Sequence, residues 1–433
     1  MSNTYAKMAC VSIDICGMKG YEIIGKSRSP LPVGCKPEAR LWAIPGRIGE
    51  DPKDMHCFRG IRIERQRSSR KVWAVDLFCG AGGLTHGLER AGIDVRLGVD
   101  IDPACEYPFS ANNKARFLLK PVEELTPSDI ERFFRKNGIR LLAGCAPCQT
   151  FSTYNQKATP DDKRWWLLRQ FSRLVQEISP ELVTMENVPR LESQGVFDEF
   201  LGTLRDARYH IDRQIVNCEE YGIPQHRQRL VLLASKLGPI RLMSPSEFGA
   251  DRTTVRKSIA DLPSLQAGEK DETDPLHQAA ILSHLNKKRI EASKPGGTWR
   301  DWRGTLVAEC HRKGTGKTYP SVYGRMCWDE PAPTITTQFF GFGNGRFGHP
   351  EKGRSIRLRY AALFQSFSRK YVFWPRDRNL NRSAVSKFIG NVDPPSNAGQ
   401  GARRDTGRRR HRLSATPLIW SCYALGGKSR RPR

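Results

Sequence analysis

The chain has 433 residues, a hydrophobic fraction of 38% with nine Trp, and a formal net charge of +26 at pH 7. That is long enough for two or three domains with real cores. No apolar run reaches membrane-spanning length and the first thirty residues carry no signal-peptide pattern, so a soluble, cytoplasmic protein without a membrane partner is expected. The basic balance predicts a polyanionic partner, most simply nucleic acid; residues 1–70 carry a net +6 and residues 396–433 a net +9 of it.

Residues 1–70 mix Gly, Pro, Cys and charge without a sustained period of 2 or 3.6, and are expected to be a poorly ordered N-terminal extension. Order begins at Lys71. "VWAVDLF" (72–78) is a buried-strand pattern, followed by glycines and the helical "LTHGLERAG" (84–92). "VRLGVDID" (95–102) is a second strand, and "PACEYPFSANN" starts a helix. "IRLLAGC" (139–145), "ELVTMENV" (181–188), "HIDRQIVN" and "QRLVLLAS" (228–235) complete the strands, with helical stretches at 164–178 and 196–208. Strands alternating with helices predict an α/β fold, a doubly wound, mostly parallel sheet that binds ligands beyond the carboxyl ends of its strands. From 240 to 325 the rhythm breaks and Gly, Lys, Arg, His and Trp become frequent, predicting a small separate domain. The α/β character returns over 326–392, with an amphipathic helix around 356–367.

Three stretches carry chemistry. "DLFCGAGG" (76–83) is a strand, an acid and a glycine-rich turn into a helix. Glycines let a ligand approach the backbone, and the helix start offers free N–H groups. The stretch lacks the Gly-Lys-Ser/Thr of a P-loop and departs from the G-x-G-x-x-G dinucleotide fingerprint. Asp100 closes the next strand, where a carboxylate can accept from ribose hydroxyls. Together these predict a nucleoside ligand without a pyrophosphate, of which S-adenosylmethionine is the obvious case. "LLAGCAPCQTFS" (141–152) holds the only C-x-x-C, Cys145 and Cys148, among twelve scattered cysteines. With no second knuckle there is no four-thiol zinc site and no metal is expected. A redox pair and a nucleophile beside an unrelated cysteine both remain open from the spacing. "PQHRQRL" (224–230) puts Arg227 and Arg229 two apart on a strand, hence on one face, where they can grip a phosphate.

"DLFCGAGG", "APCQTFS", "ENV" and "QHRQR", in that order on strand ends, resemble the DNA (cytosine-5) methyltransferase family of bacterial and phage restriction-modification systems, over roughly 72–392. The resemblance implies S-adenosylmethionine as methyl donor, a target-recognition domain at 240–325, and duplex DNA whose cytosine is flipped out to be reached. It makes Cys148 the nucleophile that adds to carbon 6, and Cys145 an incidental neighbour. Glu186 holds the ring nitrogen and exocyclic amine, Asn187 shapes the turn, and Arg227 and Arg229 flank the substrate. The cofactor residues it implies are Asp76, Phe78, Cys79, Gly80, Gly82, Gly83, Asp100, Ile101, Pro147 and Asn391. Gln149, Ser152 and Gln225 are expected to contact substrate, and Lys287, Lys288, Arg289, Arg300 and Arg303 the DNA phosphates. A monomer, serving beside a cognate restriction endonuclease, is expected.

The chain departs from the family pattern in two places. In "SIRLRYAALFQSFSRKY" (355–371), Tyr360 stands where the family usually shows Glu, Phe364 where Leu is common and Ser368 where Pro is common, which reads as drift in a supporting helix. After "FIGN" (388–391) an apolar helix is expected; instead 393–433 is a basic tail without helical period, consistent with a shifted reading frame. The alternatives to an active DNA enzyme are a catalytically impaired DNA-binding relic and a tRNA cytosine-5 methyltransferase on the same fold.

Overall fold

The computed structural model describes residues 71–147, 166–265, 268–314 and 321–391, together with a backbone pairing of Ser396–Asn397 with Tyr423–Ala424. The expectations for the extension 1–70, for Cys148, Gln149 and Ser152, and for the rest of 393–433 lie outside the described residues.

Seven strands form one sheet: β1 (Val72–Leu77), β2 (Asp94–Asp100), β3 (Arg116–Leu119), β4 (Ile139–Gly144), β5 (Leu182–Asn187), β6 (His210–Asn217) and β7 (Gln228–Ser235). Their order is β3-β2-β1-β4-β5-β7-β6. The neighbours from β3 to β5 pair in parallel, whereas β7 runs antiparallel to both β5 and β6. The expected doubly wound, mostly parallel sheet is therefore present, with one inverted strand. Strand β3 is an addition to the predicted set: "RFLL" is four residues long, lies at the sheet edge and is at most half-buried, so it has neither the length nor the apolar run of a central strand. By contrast every residue of β1 is buried, as its unbroken apolar pattern requires of a strand covered on both faces.

The helices follow from spacing. Trp166–Ile178 buries Leu168, Phe171, Leu174, Val175 and Ile178, one stripe of a 3.6-residue period. It packs on the helix Gly195–Asp206, where Phe171 and Phe200 stack with centroids 5.5 Å apart. The helix Gly83–Arg90 begins directly from the glycine turn after β1.

A second core joins the return segment to part of the stretch expected as a small domain. Val255, Ile259 and Leu276 pack with Ile335, Leu358, Phe364, Phe388 and Ile389. A separate small core holds Ile290, Trp299, Trp302 and Phe342, with Tyr323 against it. Ile240 and Leu242 join a third cluster with strand residues such as Val231 and Leu233, so the predicted segment 240–325 divides its apolar residues among three clusters. The expected amphipathic helix is Leu358–Phe364, and the "FIGN" stretch ends the helix Arg382–Asn391. At Gly390 a Cβ would come within 2.6 Å of the backbone of Thr336, so only glycine lets this helix lie against that strand-like segment.

Candidate active site

Two turns lie at the carboxyl edge of the sheet, flanking the point where strand order reverses at β1. The first is the glycine loop. Phe78, Gly80 and Gly82 have φ of 59°, 52° and 85°, so the chain makes repeated left-handed turns, one of them at a non-glycine residue. At Gly82 a Cβ would collide with the Asn113 amide, while the position above Gly80 is open. The loop is fixed from three sides. Thr85 Oγ1 donates to Asp76 Oδ2 at 2.7 Å, Gly80 N–H donates to Asp100 Oδ2 at 2.8 Å, and Tyr371 Oη donates to the Ala81 carbonyl at 2.6 Å. Asp102 N–H occupies the other Asp100 oxygen at 2.9 Å. Burial pushes the Asp100 carboxyl up, and these N–H donors oppose it.

The expected cofactor residues therefore divide. Gly80, above which a Cβ would meet nothing, is bonded to Asp100, and the next residue, Ile101, is 64% exposed; an acid and an exposed apolar side chain beside an open backbone turn suit a nucleoside. Asp76, Cys79 and Gly83 are buried and serve the loop itself. The Cys79 thiol is pushed well up by burial, with Asp76 and Asp100 adding to the effect, and stays protonated. Phe78 packs on the main core. Pro147 is exposed after β4, and Asn391 is exposed as the last residue of its helix.

The second turn follows β4 and lies beside the end of β5. Glu186 is 3% exposed, and the Arg229 guanidinium is ion-paired to its Oε1. Cys145 Sγ lies 3.6 Å from Glu186 Oε2. Asn187 Nδ2 donates to the Ala146 carbonyl at 3.1 Å, and its Oδ1 accepts from Val188 N–H at 2.9 Å. The carboxylate, its cation and the turn leading to Cys148 are thus held together. Because β7 is inverted, its amino end reaches this edge, with Leu230 opposite Asn187 and Val231 opposite Glu186.

That inversion changes where "QHRQR" lies on its strand. The motif sits at the amino end of its strand, and β7 starts one residue after Arg227, so only Arg229 is on it. Arg227 is buried and donates through Nη1 to the Ile335 carbonyl at 3.3 Å. Gln225, expected at the substrate, is fully buried. Its amide nitrogen donates to Gln365 Oε1 at 2.8 Å and the Phe364 carbonyl at 3.2 Å, and its oxygen accepts from Ile335 N–H at 2.9 Å. Gln365 Nε2 continues to the Ile389 carbonyl at 2.8 Å. This network ties four distant stretches together. Tyr371, Thr85 and Gln365 went unnoticed in the sequence; only Thr85, one turn into the helix after an acid, carried a local signal.

Among the basic residues of the small core, Lys287, Lys288, Arg300 and Arg303 are exposed. Arg289 is not a free phosphate ligand. Its Nε donates to the Leu306 carbonyl at 2.9 Å, and its guanidinium lies 5.5 and 5.3 Å from the Trp302 and Tyr323 ring centroids. Trp299 stacks on His311 at 4.5 Å and 7°. No helix among the described residues is long and apolar enough to cross a membrane.

A glycine loop and acidic strand ends at the switch point of a sheet with one inverted strand define an S-adenosylmethionine-dependent methyltransferase fold. The comparisons narrow this. Residues 72–398 match the family model for C-5 cytosine-specific DNA methylase, and the chain belongs to that family. It is 47% identical over 323 residues to the Type II methylase M.HgiDII of Herpetosiphon aurantiacus, covering 74% of this chain and 91% of that one. It is 31% identical over 353 residues to the Type II methyltransferase M1.BsuMI of Bacillus subtilis, covering 77% and 80%. Its fold is similar to a prophage-encoded Escherichia coli protein described as a DNA modification methyltransferase, with TM-score 0.56 and 21% identity over 82% of this chain and 98% of that one.

Proposed function

We propose that the chain methylates carbon 5 of a flipped-out cytosine in duplex DNA through a covalent Cys148 adduct. The observation that carries this is the buried Glu186–Arg229 pair, tied through Asn187 to the turn that leads into Cys148. Bound at the glycine loop, S-adenosylmethionine supplies a methyl group activated by its sulfonium. Gly80 and Asp100 would hold its nucleoside, with Ile101 against the base.

Carbon 5 of cytosine is a poor nucleophile, and the residues change that. The Cys148 thiolate forms a bond to carbon 6 while Glu186 gives its proton to the ring nitrogen, so the displaced electron pair makes carbon 5 enamine-like. Carbon 5 then takes the methyl group, with the bonding pair staying on the departing thioether sulfur, and Glu186 takes back the ring-nitrogen proton; a solvent base removes the carbon 5 proton, and the pair it leaves restores the 5,6 double bond as the carbon 6–sulfur bond breaks to return the thiolate. Arg229 keeps the carboxyl in place through these proton movements. Lys287, Lys288, Arg300 and Arg303 bind phosphates, and flipping brings the cytosine to the site. The Type II names of the relatives support a restriction-modification role; we infer that the chain acts there as a cytoplasmic monomer beside a cognate endonuclease.

The test is methyl transfer from tritiated S-adenosylmethionine to unmethylated duplex DNA, with tRNA as competitor and Cys148→Ser as control. Label in duplex cytosine that is absent with Cys148→Ser supports the reading. Label in tRNA instead makes it an RNA enzyme, and intact DNA binding without label makes it a relic.

A further inference from the structure

We propose that Arg359 is a positioning residue for the glycine loop, acting through Tyr371. The inference rests on the reading of that loop as the S-adenosylmethionine site. Arg359 is buried in the helix Leu358–Phe364, and its guanidinium faces two ways. Nε and Nη2 form a fork on the Asp274 carboxylate, at 2.5 Å to Oδ2 and 2.9 Å to Oδ1. Nη1 donates to the Tyr371 carbonyl at 3.3 Å. At the far end of that residue, the Tyr371 hydroxyl donates to the Ala81 carbonyl at 2.6 Å. A line of hydrogen bonds thus runs from Asp274 to the middle of the loop, through three stretches far apart in the chain.

The start of this line is braced. Asp274 Oδ1 accepts from Leu276 N–H at 3.1 Å, and the Leu276 carbonyl accepts from Arg359 N–H at 3.1 Å, so carboxylate and guanidinium are fixed to one turn. A guanidinium is planar, with donors at fixed angles. With two of its nitrogens committed to a carboxylate fork, the direction of Nη1 is set. The peptide between Tyr371 and Val372 is then gripped at both edges: Arg359 is on its carbonyl, and Asn112 Oδ1 accepts from its N–H at 2.9 Å. A peptide held at one edge only can rock about that contact. Held at both, it fixes the Tyr371 Cα, from which a stiff ring carries the position to its hydroxyl. Ala81 lies between the left-handed Gly80 and Gly82, where the backbone has most freedom to lose its shape.

Arg359→Lys separates positioning from charge. An ammonium keeps a positive charge beside Asp274 but has no fork with which to reach the Tyr371 carbonyl as well. Calorimetric affinity for S-adenosylhomocysteine is measured in four chains: wild type, Arg359→Lys, Tyr371→Phe and the double variant. Arg359→Lys should weaken binding about three- to tenfold, the size of one hydrogen bond. Because the arginine acts through the tyrosine hydroxyl, the same change made on Tyr371→Phe should weaken it by less than about twofold further. In methyl transfer the KM for S-adenosylmethionine rises while kcat stays within about twofold, as expected for a loss of uniform binding. In the unliganded chain, amide hydrogen exchange speeds up in the peptide spanning 77–83. Duplex DNA affinity within about twofold of wild type shows that the variant is folded. Should the lysine variant not fold, Asp274→Asn, which loosens the fork and keeps its shape, takes its place in the same cycle with the same expectation. A merely structural arginine would weaken binding by the same factor in both backgrounds. That result, or unchanged affinity in Arg359→Lys, overturns this inference and leaves the proposed function standing. A wild-type chain that binds no S-adenosylhomocysteine overturns the reading of the loop, and the inference with it.

Discussion

Removing one oxygen, Tyr371→Phe, tests how the glycine loop is held. Tyr371 is 1% exposed, and its hydroxyl donates to the Ala81 carbonyl across 290 residues of sequence. Burial pushes its phenol well above the usual range, so the group is always a donor. The ring is packed independently of the hydroxyl, with Phe367 and Phe373 at centroid distances of 4.5 and 4.9 Å and His86 edge-on at 5.0 Å. Its backbone is also anchored, since Asn112 Nδ2 donates to the Val372 carbonyl at 2.7 Å and Asn112 Oδ1 accepts from Val372 N–H at 2.9 Å. Phenylalanine therefore keeps the packing and loses the hydrogen bond to Ala81, together with the weaker contact of the hydroxyl with the Asn113 side chain. That costs about 1 kcal/mol if water can reach the Ala81 carbonyl and about 3 kcal/mol if it stays dry. Ala81 sits between the left-handed Gly80 and Gly82, so part of the loss reappears as the cost of reordering the loop around a ligand. Each 1.4 kcal/mol so transferred weakens binding about tenfold. Urea denaturation with and without S-adenosylhomocysteine, alongside calorimetric affinities, separates the two. We expect a stability loss in that range and affinity lower by about five- to tenfold, with duplex DNA binding unchanged. A variant within about 0.3 kcal/mol of wild type and of equal affinity would refute the idea that this hydroxyl holds the loop.

Gly82→Ala should be more damaging, since φ is 85° and the new Cβ meets the Asn113 amide; a loss of about 2 kcal/mol or more by urea midpoint and no measurable cofactor affinity are expected. Gln225→Glu puts a carboxylate into a fully buried network and removes the donor to Gln365 and Phe364, so it should cost about 3 kcal/mol or prevent folding, whereas a substrate-contact role would lower only the rate. Acid sensitivity has a named source in His349. Burial first, then Arg354 and Arg357, push it down to about 2, and its Nδ1 accepts from the N–H groups of Glu351 and Lys352. The unfolded chain binds this proton near pH 6.5 and the folded chain does not, so stability is present above that pH and falls by about 2 kcal/mol between pH 6.5 and 5. Urea midpoints at pH 7.5, 6.5 and 5 should show this fall, and His349→Gln should flatten it.

How much of this was legible in the sequence depends on the range of each cause. β1, β2, β4 and β5 are largely apolar runs with an acid or a glycine at or next to their carboxyl ends, and local pattern was enough to find them and to single out those ends. β3 was missed because four half-exposed residues at an edge have no period. The inversion of β7 could not be read because strand direction is a property of pairing, and "QRLVLLAS" is equally apolar either way. Motif matching found Gln225 and Arg227 but assigned them outward. Ile335, Phe364 and Gln365, which they meet in the fold, are more than 100 residues away, and nothing local to "QHRQR" reveals those contacts.

The same long-range logic accounts for Tyr360, where drift from the family's Glu was the expectation. Tyr360 is buried and its hydroxyl accepts from Arg354 Nη2 at 3.1 Å. The Arg354 and Arg357 guanidinium carbons each lie 5.3 Å from its ring centroid, and His277 and His349 pack at 5.4 and 5.9 Å. Both arginines are buried and also meet neutral groups: the Leu265 carbonyl takes Arg354 Nε at 3.2 Å and Arg357 Nη2 at 2.8 Å, the Ser355 carbonyl takes Arg354 Nη1 at 3.4 Å, and His277 faces Arg357 Nη1. A carboxylate at 360 would answer one guanidinium by charge. The aromatic ring answers two at once through its electron-rich face, and the hydroxyl adds an acceptor. The cost appears on the arginines: burial and mutual repulsion push Arg357 down to about 10. Tyr360→Phe should then cost about 1–3 kcal/mol through the lost acceptor, while Tyr360→Leu, which removes both acceptor and ring, should cost more. Equal losses in the two variants would mean that the ring holds neither arginine.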